Sequence, residues 1–215
     1  MSWMITASGA EVHFSGPKVA TNRYEIDDVA SALAKINRFA GHTKRPYSVS
    51  EHSLLCADIA EQLGTSLHIQ LAALMHDGHE AFVGDCTSPV KERVGPAWSS
   101  FENGVAHQFR SQFGLTPTFF THKGAIRAID LMALATERRD LTNYSFGKPG
   151  STPWPVLDTP GREVAATHTN LCSLQREQRH WTEWRDLFLE RYDYLVVSLI
   201  AANKSFGSGL VPRSK

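Results

Sequence analysis

His76 and Asp77 stand side by side in LAALMHDGHEAFVGD, an imidazole and a carboxylate at the end of an apolar helical run. Two such adjacent groups can chelate one divalent cation, and a cation so held generates hydroxide near neutral pH. The dipeptide alone says little, because His beside Asp occurs at the solvated surface of many chains. Two more residues of ligand type change its weight. His52 lies 24 residues upstream of His76 in SVSEHSLLCADIA, and Asp130 lies 53 residues downstream of Asp77 in AIRAIDLMALATERRD. Both sit on segments that read as core-facing helix, where a carboxylate is costly to bury unless a cation or hydrogen-bond donors compensate for lost water. His52, His76, Asp77 and Asp130, on three helices, form a metal-site hypothesis. Glu80 stands three residues after Asp77 and faces the same side if the helical turn persists.

The elements that must position these residues are helices. Ile26, Val29, Ala30, Leu33 and Ile36 recur at helical spacing behind Asp27 and Asp28, with Gly41 as a stop. Ser48-x-x-Glu51 has the spacing of a capping box and opens a second helix running to about Gly64. A third starts near Thr65 or Ser66 and carries Leu67, Leu71, Leu74 and Met75 into the His76-Asp77 pair, after which Gly78 and Gly84 loosen the backbone. Further helices are expected over 97–113, 122–140 and 173–203. Residues 141–172, rich in Pro, Gly, Ser and Thr, read as a long loop or insertion, either a lid or a connector. No strand-turn-strand pattern spans the core, so the expected fold is an all-α bundle in one domain over 1–206. The end, FGSGLVPRSK, resembles a linker with part of a protease-cleavable tag, so 207–215 are given no function.

Composition narrows the function. The 215 residues, 42% hydrophobic and 20% charged, suit one ordinary globular domain, and Lys+Arg and Asp+Glu both number 22. Neutral charge removes any global electrostatic case for nucleic acid or an anionic membrane, so phosphate binding must be local. Cys56, Cys86 and Cys172 fit neither a disulfide framework nor a CxxC zinc site and read as reduced thiols. With no leader pattern and no apolar span, the protein is expected to be soluble and cytoplasmic.

EHS, then LMHDGHEAFVGDCTSPVK, then an isolated helical Asp resemble the HD-domain phosphohydrolases, specifically their small 5'-deoxynucleotidase branch. The resemblance covers about 25–140, with a weaker match of helix order to about 200. It implies an HD-type helical bundle with His52, His76, Asp77 and Asp130 as metal ligands, a donor set that suits Mn, Fe, Co, Ni or Zn. By the same resemblance Glu80 orients or deprotonates the attacking water; its alternative is a prop for a ligand histidine. Asp85 matches an acid that meets the sugar or the attacking water, and is otherwise a Gly-Asp turn residue. Arg38 matches a phosphate-gripping Arg, and is otherwise a helix-end cation. Phe39 stands where the nucleotidases place a Trp against deoxyribose, a departure that weakens the case for strict 2'-deoxy selectivity. Thr87 and Lys91 border the phosphate pocket in these enzymes, and are otherwise a solvated run. His79 is a second departure, and either protonates a leaving group or is simply exposed.

The leading expectation is a metal-dependent phosphohydrolase that converts a deoxynucleoside monophosphate to deoxynucleoside and phosphate. A dATP-type triphosphohydrolase is the alternative, with Lys44, Arg45 and Lys91 as candidates for the extra phosphates. A cyclic-nucleotide phosphodiesterase is disfavoured by the lack of a second HD cluster, and a non-catalytic binding module by the intact ligand set. Expected partners are a deoxynucleotide, no nucleic acid and no membrane. Trp181, Trp184, Leu187, Phe188, Tyr192, Leu195 and Val196 on the last helix either form a homodimer face or cap the chain's own core.

Overall fold

Apolar residues at helical spacing fold into helices wherever the rhythm is sustained, and the computed structural model describes residues 2–145 and 147–202. α1 (Ile26–Leu33) buries Ile26, Val29, Ala30 and Leu33. α2 (Val49–Gln62) begins at Ser48, whose hydroxyl accepts the Glu51 N–H, so half of the capping box forms. Its other half does not, because the Glu51 carboxylate turns away to Arg45 and Arg176. α3 (Leu67–Met75) is capped by Ser66 and hands over to His76. α4 (Glu80–Val83), α5 (Ser88–Val94), α6 (Pro96–Gln112) and α7 (Thr116–Leu141) follow.

α2 and α3 pack on each other, on α7 and on α10 (Trp181–Ala202), while α1 lies against α10 and α4. The larger core joins α1, α3, α6 and α10 through Leu33, Leu74, Phe109 and Phe188. A smaller one between α2, α3 and α7 holds Leu55, Ile59, Ala73 and Ile129. The candidate ligands His52 and Asp130 lie on the helices of this second seam. Gly78 lets the turn after α3 press against α6, since a Cβ there would come within 2.2 Å of Phe109 Cζ.

Three expectations need adjusting. The opening segment is a hairpin, β1 (Trp3–Ile5) antiparallel to β2 (Glu11–His13). Asp28 fastens it to α1 by accepting from the Ser8 N–H at 2.9 Å and hydroxyl at 2.6 Å. The fold is thus mostly helical with this small sheet at its edge. Residues 141–172 contain one short helix, α8 (Pro155–Asp158), and bury Leu157 and Leu171. The last helix starts at Trp181 rather than 173, because the chain breaks after a separate turn, α9 (Leu174–Glu177). Its expected end at Asn203 and the segment 207–215 lie outside the described residues. Trp184, Phe188, Tyr192, Leu195 and Val196 are buried within the chain, so most of that apolar face caps its own core. Among the described residues no helix is long and apolar enough to cross a membrane.

Candidate metal centre

The side chains of His52 from α2, His76 and Asp77 from the turn after α3, and Asp130 from α7 converge. The two imidazoles face each other with Nε2 atoms 3.3 Å apart. Asp77 Oδ2 lies 3.2 Å from His76 Nε2 and 3.5 Å from His52 Nε2, and Asp130 Oδ1 lies 3.8 and 3.5 Å from the same atoms. Donors bound at 2.0–2.3 Å to one cation sit roughly 3.0–3.8 Å apart, so these separations suit a shared ion.

Tautomers make the case sharper. His52 Nδ1 donates to Glu137 Oε1 at 2.5 Å, and His76 Nδ1 donates to the Ala73 carbonyl at 2.8 Å. With Nδ1 so engaged, each ring directs its Nε2 at the other and at the two carboxylates. Acceptors packed this closely need a cation between them, whether protons or a metal. The electrostatics agree. Burial opposes ionisation of Asp77 and Asp130, yet His76 beside them holds both well below the usual carboxylate range. Burial pulls both imidazoles down, but their acidic neighbours raise them well above the ordinary histidine value.

Cys56, read from sequence as an unremarkable thiol, belongs to this cluster. It is buried one turn along α2 from His52, with Sγ 3.6 Å from His52 Nε2. His52, Cys56 and His76 form a group that could hold a metal ion. Its signal was the i, i+4 spacing of His and Cys on one helix. Glu137 was also missed. It is fully buried two turns beyond Asp130 on α7, and takes His52 on one oxygen and Arg38 Nη2, at 3.2 Å, on the other.

Glu80 starts α4 rather than continuing α3. A turn with the Glu80 N–H on the Asp77 carbonyl separates them, and the side chain still ends beside the cluster. It is buried, and among the described residues its Oε2 has no hydrogen-bond partner. Burial first, then the charges of Asp77 and Asp85, push its carboxyl well above the usual range. Asp85 follows Gly84 in the link to α5, half-buried, and burial raises its carboxyl too, against the pull of Arg38.

Arg38 is buried, with Nη1 3.4 Å from Asp77 Oδ2. Phe39 and Ala40 directly after it adopt left-handed backbone, φ 55° and 50°, a conformation costing about 1–3 kcal/mol per non-glycine residue and found where structure around it enforces a site. The half-buried Phe39 ring has Trp154, from the 141–172 segment, 6.3 Å away. A segment remote in sequence thus places a tryptophan next to Phe39. Arg138 braces that segment through two bonds to Asp158, at 2.6 and 2.8 Å.

Thr87 caps α5 without a side-chain bond, its carbonyl accepting the Lys91 N–H. Lys91 is paired with Glu102 of α6 at 2.6 Å and lies 4.0 Å from Glu80. His79, one of whose readings was an exposed side chain, is buried, with Nε2 3.9 Å from Glu102. Burial works against the Glu102 charge, but the neighbouring His79 and Lys91 bring its carboxyl down to about 2. Arg45, one candidate for the extra phosphates, is buried in a two-bond pair with Glu51, at 2.7 and 2.8 Å, and donates to the Leu171 carbonyl. Lys44 donates to the Asp140 carbonyl.

A cleft of about 380 Å³ opens from His76, Asp77 and Asp130 toward α6 and the first half of α7, where Arg110, Phe119 and Lys123 line it. That size falls within the ~300–1,000 Å³ of ordinary ligand sites.

No family model matches the sequence. The uncharacterized protein YfdR of Escherichia coli is 37% identical over 158 residues, which cover 74% of this chain and 80% of that protein. The uncharacterized protein RCAP_rcc00048 of Rhodobacter capsulatus is 31% identical over 168 residues, covering 73% and 83% respectively. With identity sustained over four-fifths of its relative, the chain belongs to the protein family that includes YfdR.

Proposed function

We propose that this protein is a divalent-metal-dependent phosphohydrolase of the HD-domain type acting on 5'-deoxynucleotides. The observation that carries the reading is the pair of imidazole Nε2 atoms facing each other across 3.3 Å, with carboxylate oxygens of Asp77 and Asp130 beside them. His52, His76, Asp77 and Asp130 would hold the metal, and Mn, Fe, Co, Ni and Zn all suit such donors. When bound, the cation supplies Lewis acidity and lowers the pKa of water toward neutrality.

The chain's own residues supply the rest. Glu80, buried beside the cluster with one carboxylate oxygen unpartnered among the described residues, would take the proton of the attacking water, and its carboxyl, raised above the usual range by burial, suits it to proton transfer. Arg38 stays charged between Glu137 and Asp77 and offers its guanidinium to a phosphoryl oxygen. Asp85, electrostatically linked to Arg38 and Asp77, would meet a sugar hydroxyl or the water, and the neighbouring rings of Phe39 and Trp154 would offer apolar surface to the nucleoside.

The test is metal-loaded protein incubated with deoxy- and ribonucleoside mono-, di- and triphosphates, the products resolved by chromatography. Deoxynucleotide-selective release of phosphate, or of a longer phosphate chain, is expected. His76→Ala and Asp77→Ala lose both metal and turnover. Glu80→Ala keeps the metal while turnover falls by ~10²–10⁴. Turnover retained in metal-free His76→Ala overturns the proposal.

A further inference from the structure

The cations around the candidate centre divide into two sets. On the flank of Arg38 and Lys91 every cation is already matched: Arg38 by Asp77 and Glu137, Lys91 by Glu102. The cleft between α6 and α7 is different. Arg110, Lys123 and Arg127 line it together with His107, while its carboxylates are Asp77 and Asp130, both members of the metal cluster. Arg127 bonds Asp130 Oδ2 at 2.6 Å, on the carboxylate edge turned away from the imidazoles. Arg110 and Lys123 have no carboxylate within ion-pair distance among the described residues. Arg110 is half-buried, its guanidinium is held 4.3 Å over the Phe119 ring, and its Nε has no hydrogen-bond partner among the described residues. A guanidinium partly withdrawn from water without an anion is costly to maintain. A multiply charged ligand entering from the cluster would relieve that cost and find Lys123 along the same wall.

We infer that the α6/α7 cleft is an anion subsite, built by Arg110 and Lys123, for a phosphate chain continuing outward from the metal cluster. Its consequence for substrate choice rests on the function proposed above. The phosphoryl group beside the cluster carries further phosphates into the cleft, so nucleoside polyphosphates are bound in preference to monophosphates. Only non-covalent contacts are assigned to Arg110 and Lys123. The guanidinium fork suits two oxygens of one phosphate, and the Lys123 ammonium acts as a point charge for the next.

Calorimetric titration of the full chain with orthophosphate and with inorganic triphosphate, free Mn²⁺ being buffered at one level throughout, tests the subsite. Triphosphate is expected to bind at least tenfold more tightly. Arg110→Gln and Lys123→Gln are each expected to weaken triphosphate by about 10–100-fold, the range for charge-assisted hydrogen bonds, with metal content unchanged and orthophosphate affinity within about twofold. Lys123 is exposed, so its substitution keeps the test informative even if the Arg110 variant folds poorly. Equal affinity for the two anions, or variants that leave triphosphate untouched, overturns the inference. The two proposals fail separately. Arg110-dependent triphosphate binding by a protein inert toward every nucleotide upholds the subsite and removes the enzyme. Nucleotide hydrolysis with no such dependence does the reverse.

Discussion

Glu137 determines which nitrogen of His52 faces the cluster, because it accepts from Nδ1 at 2.5 Å and leaves Nε2 turned toward the other candidate ligands. Its loss should therefore act on metal affinity. Glu137→Gln can still accept from Nδ1 but removes the charge that makes the imidazole a better donor, and a drop of about 10–100-fold in metal affinity is expected, read by competition with a chelator. Cys56 makes the complementary case. It sits against His52 at the closed end of the cluster, whereas Asp77 and Asp130 also border the cleft. If the carboxylates are the ligands, Cys56→Ser keeps its metal, and the cobalt-loaded wild type shows no thiolate-to-metal charge-transfer band. Such a band, lost in Cys56→Ser, would move the centre to a His/Cys donor set. Neither Glu137 nor Cys56 stood out in the sequence: one is two helical turns from a predicted ligand and the other one turn, and an acid or thiol at those offsets is ordinary until its helix is packed.

At the scale of elements, the turn from His76 to His79 is the joint on which the arrangement depends. It ends α3, delivers two cluster residues and starts α4 with Glu80. Gly78 makes that geometry possible through its close approach to Phe109. Gly78→Ala forces the ring of a fully buried Phe aside, and a destabilisation of about 1–3 kcal/mol is expected, together with lower metal affinity because the same turn carries His76 and Asp77. Urea denaturation and chelator competition measure the two effects. An unchanged midpoint would show that α6 yields freely at this contact. The two halves of the joint were legible to different degrees. The glycines and the apolar run ahead of them marked where regular helix gives way to a short second piece, but not that this piece starts at Glu80. The 141–172 segment was harder still: its composition announced irregular backbone, while its contribution, Trp154 beside Phe39, depends on Arg138 holding Asp158.

For the molecule as a whole, the acidic limb of stability should carry the signature of Glu102, which ties α6 to His79 and to Lys91 of α5. Its carboxyl is lowered in the fold from 4.5 to about 2. A carboxylate so depressed stabilises the fold above its unfolded value, and that contribution fades as pH falls from about 4.5 toward 2. Between pH 5 and 3 the melting temperature of the wild type should drop more steeply than that of Glu102→Gln, with the two converging at the acid end. Parallel curves in differential scanning calorimetry would mean that the three groups do not act as a charged unit.

Periodicity in the chain was sufficient to determine a bundle of helices, the start of α2 at Ser48 and of α3 at Thr65 or Ser66, and the residues His52, His76, Asp77 and Asp130 as candidates for one site. These follow from local chemistry, namely apolar spacing, a capping hydroxyl, and ligand-type side chains that are expensive to bury singly. Tertiary structure alone decided the rest: that Cys56 and Glu137 join the cluster, that Arg45 is bound to Glu51 instead of facing it, that His79 is buried against α6, and that Arg110 is left without an anion. Each of these depends on which side chains the packed chain brings together, and a pairing such as His52 with Glu137, 85 residues apart, has no local pattern to betray it.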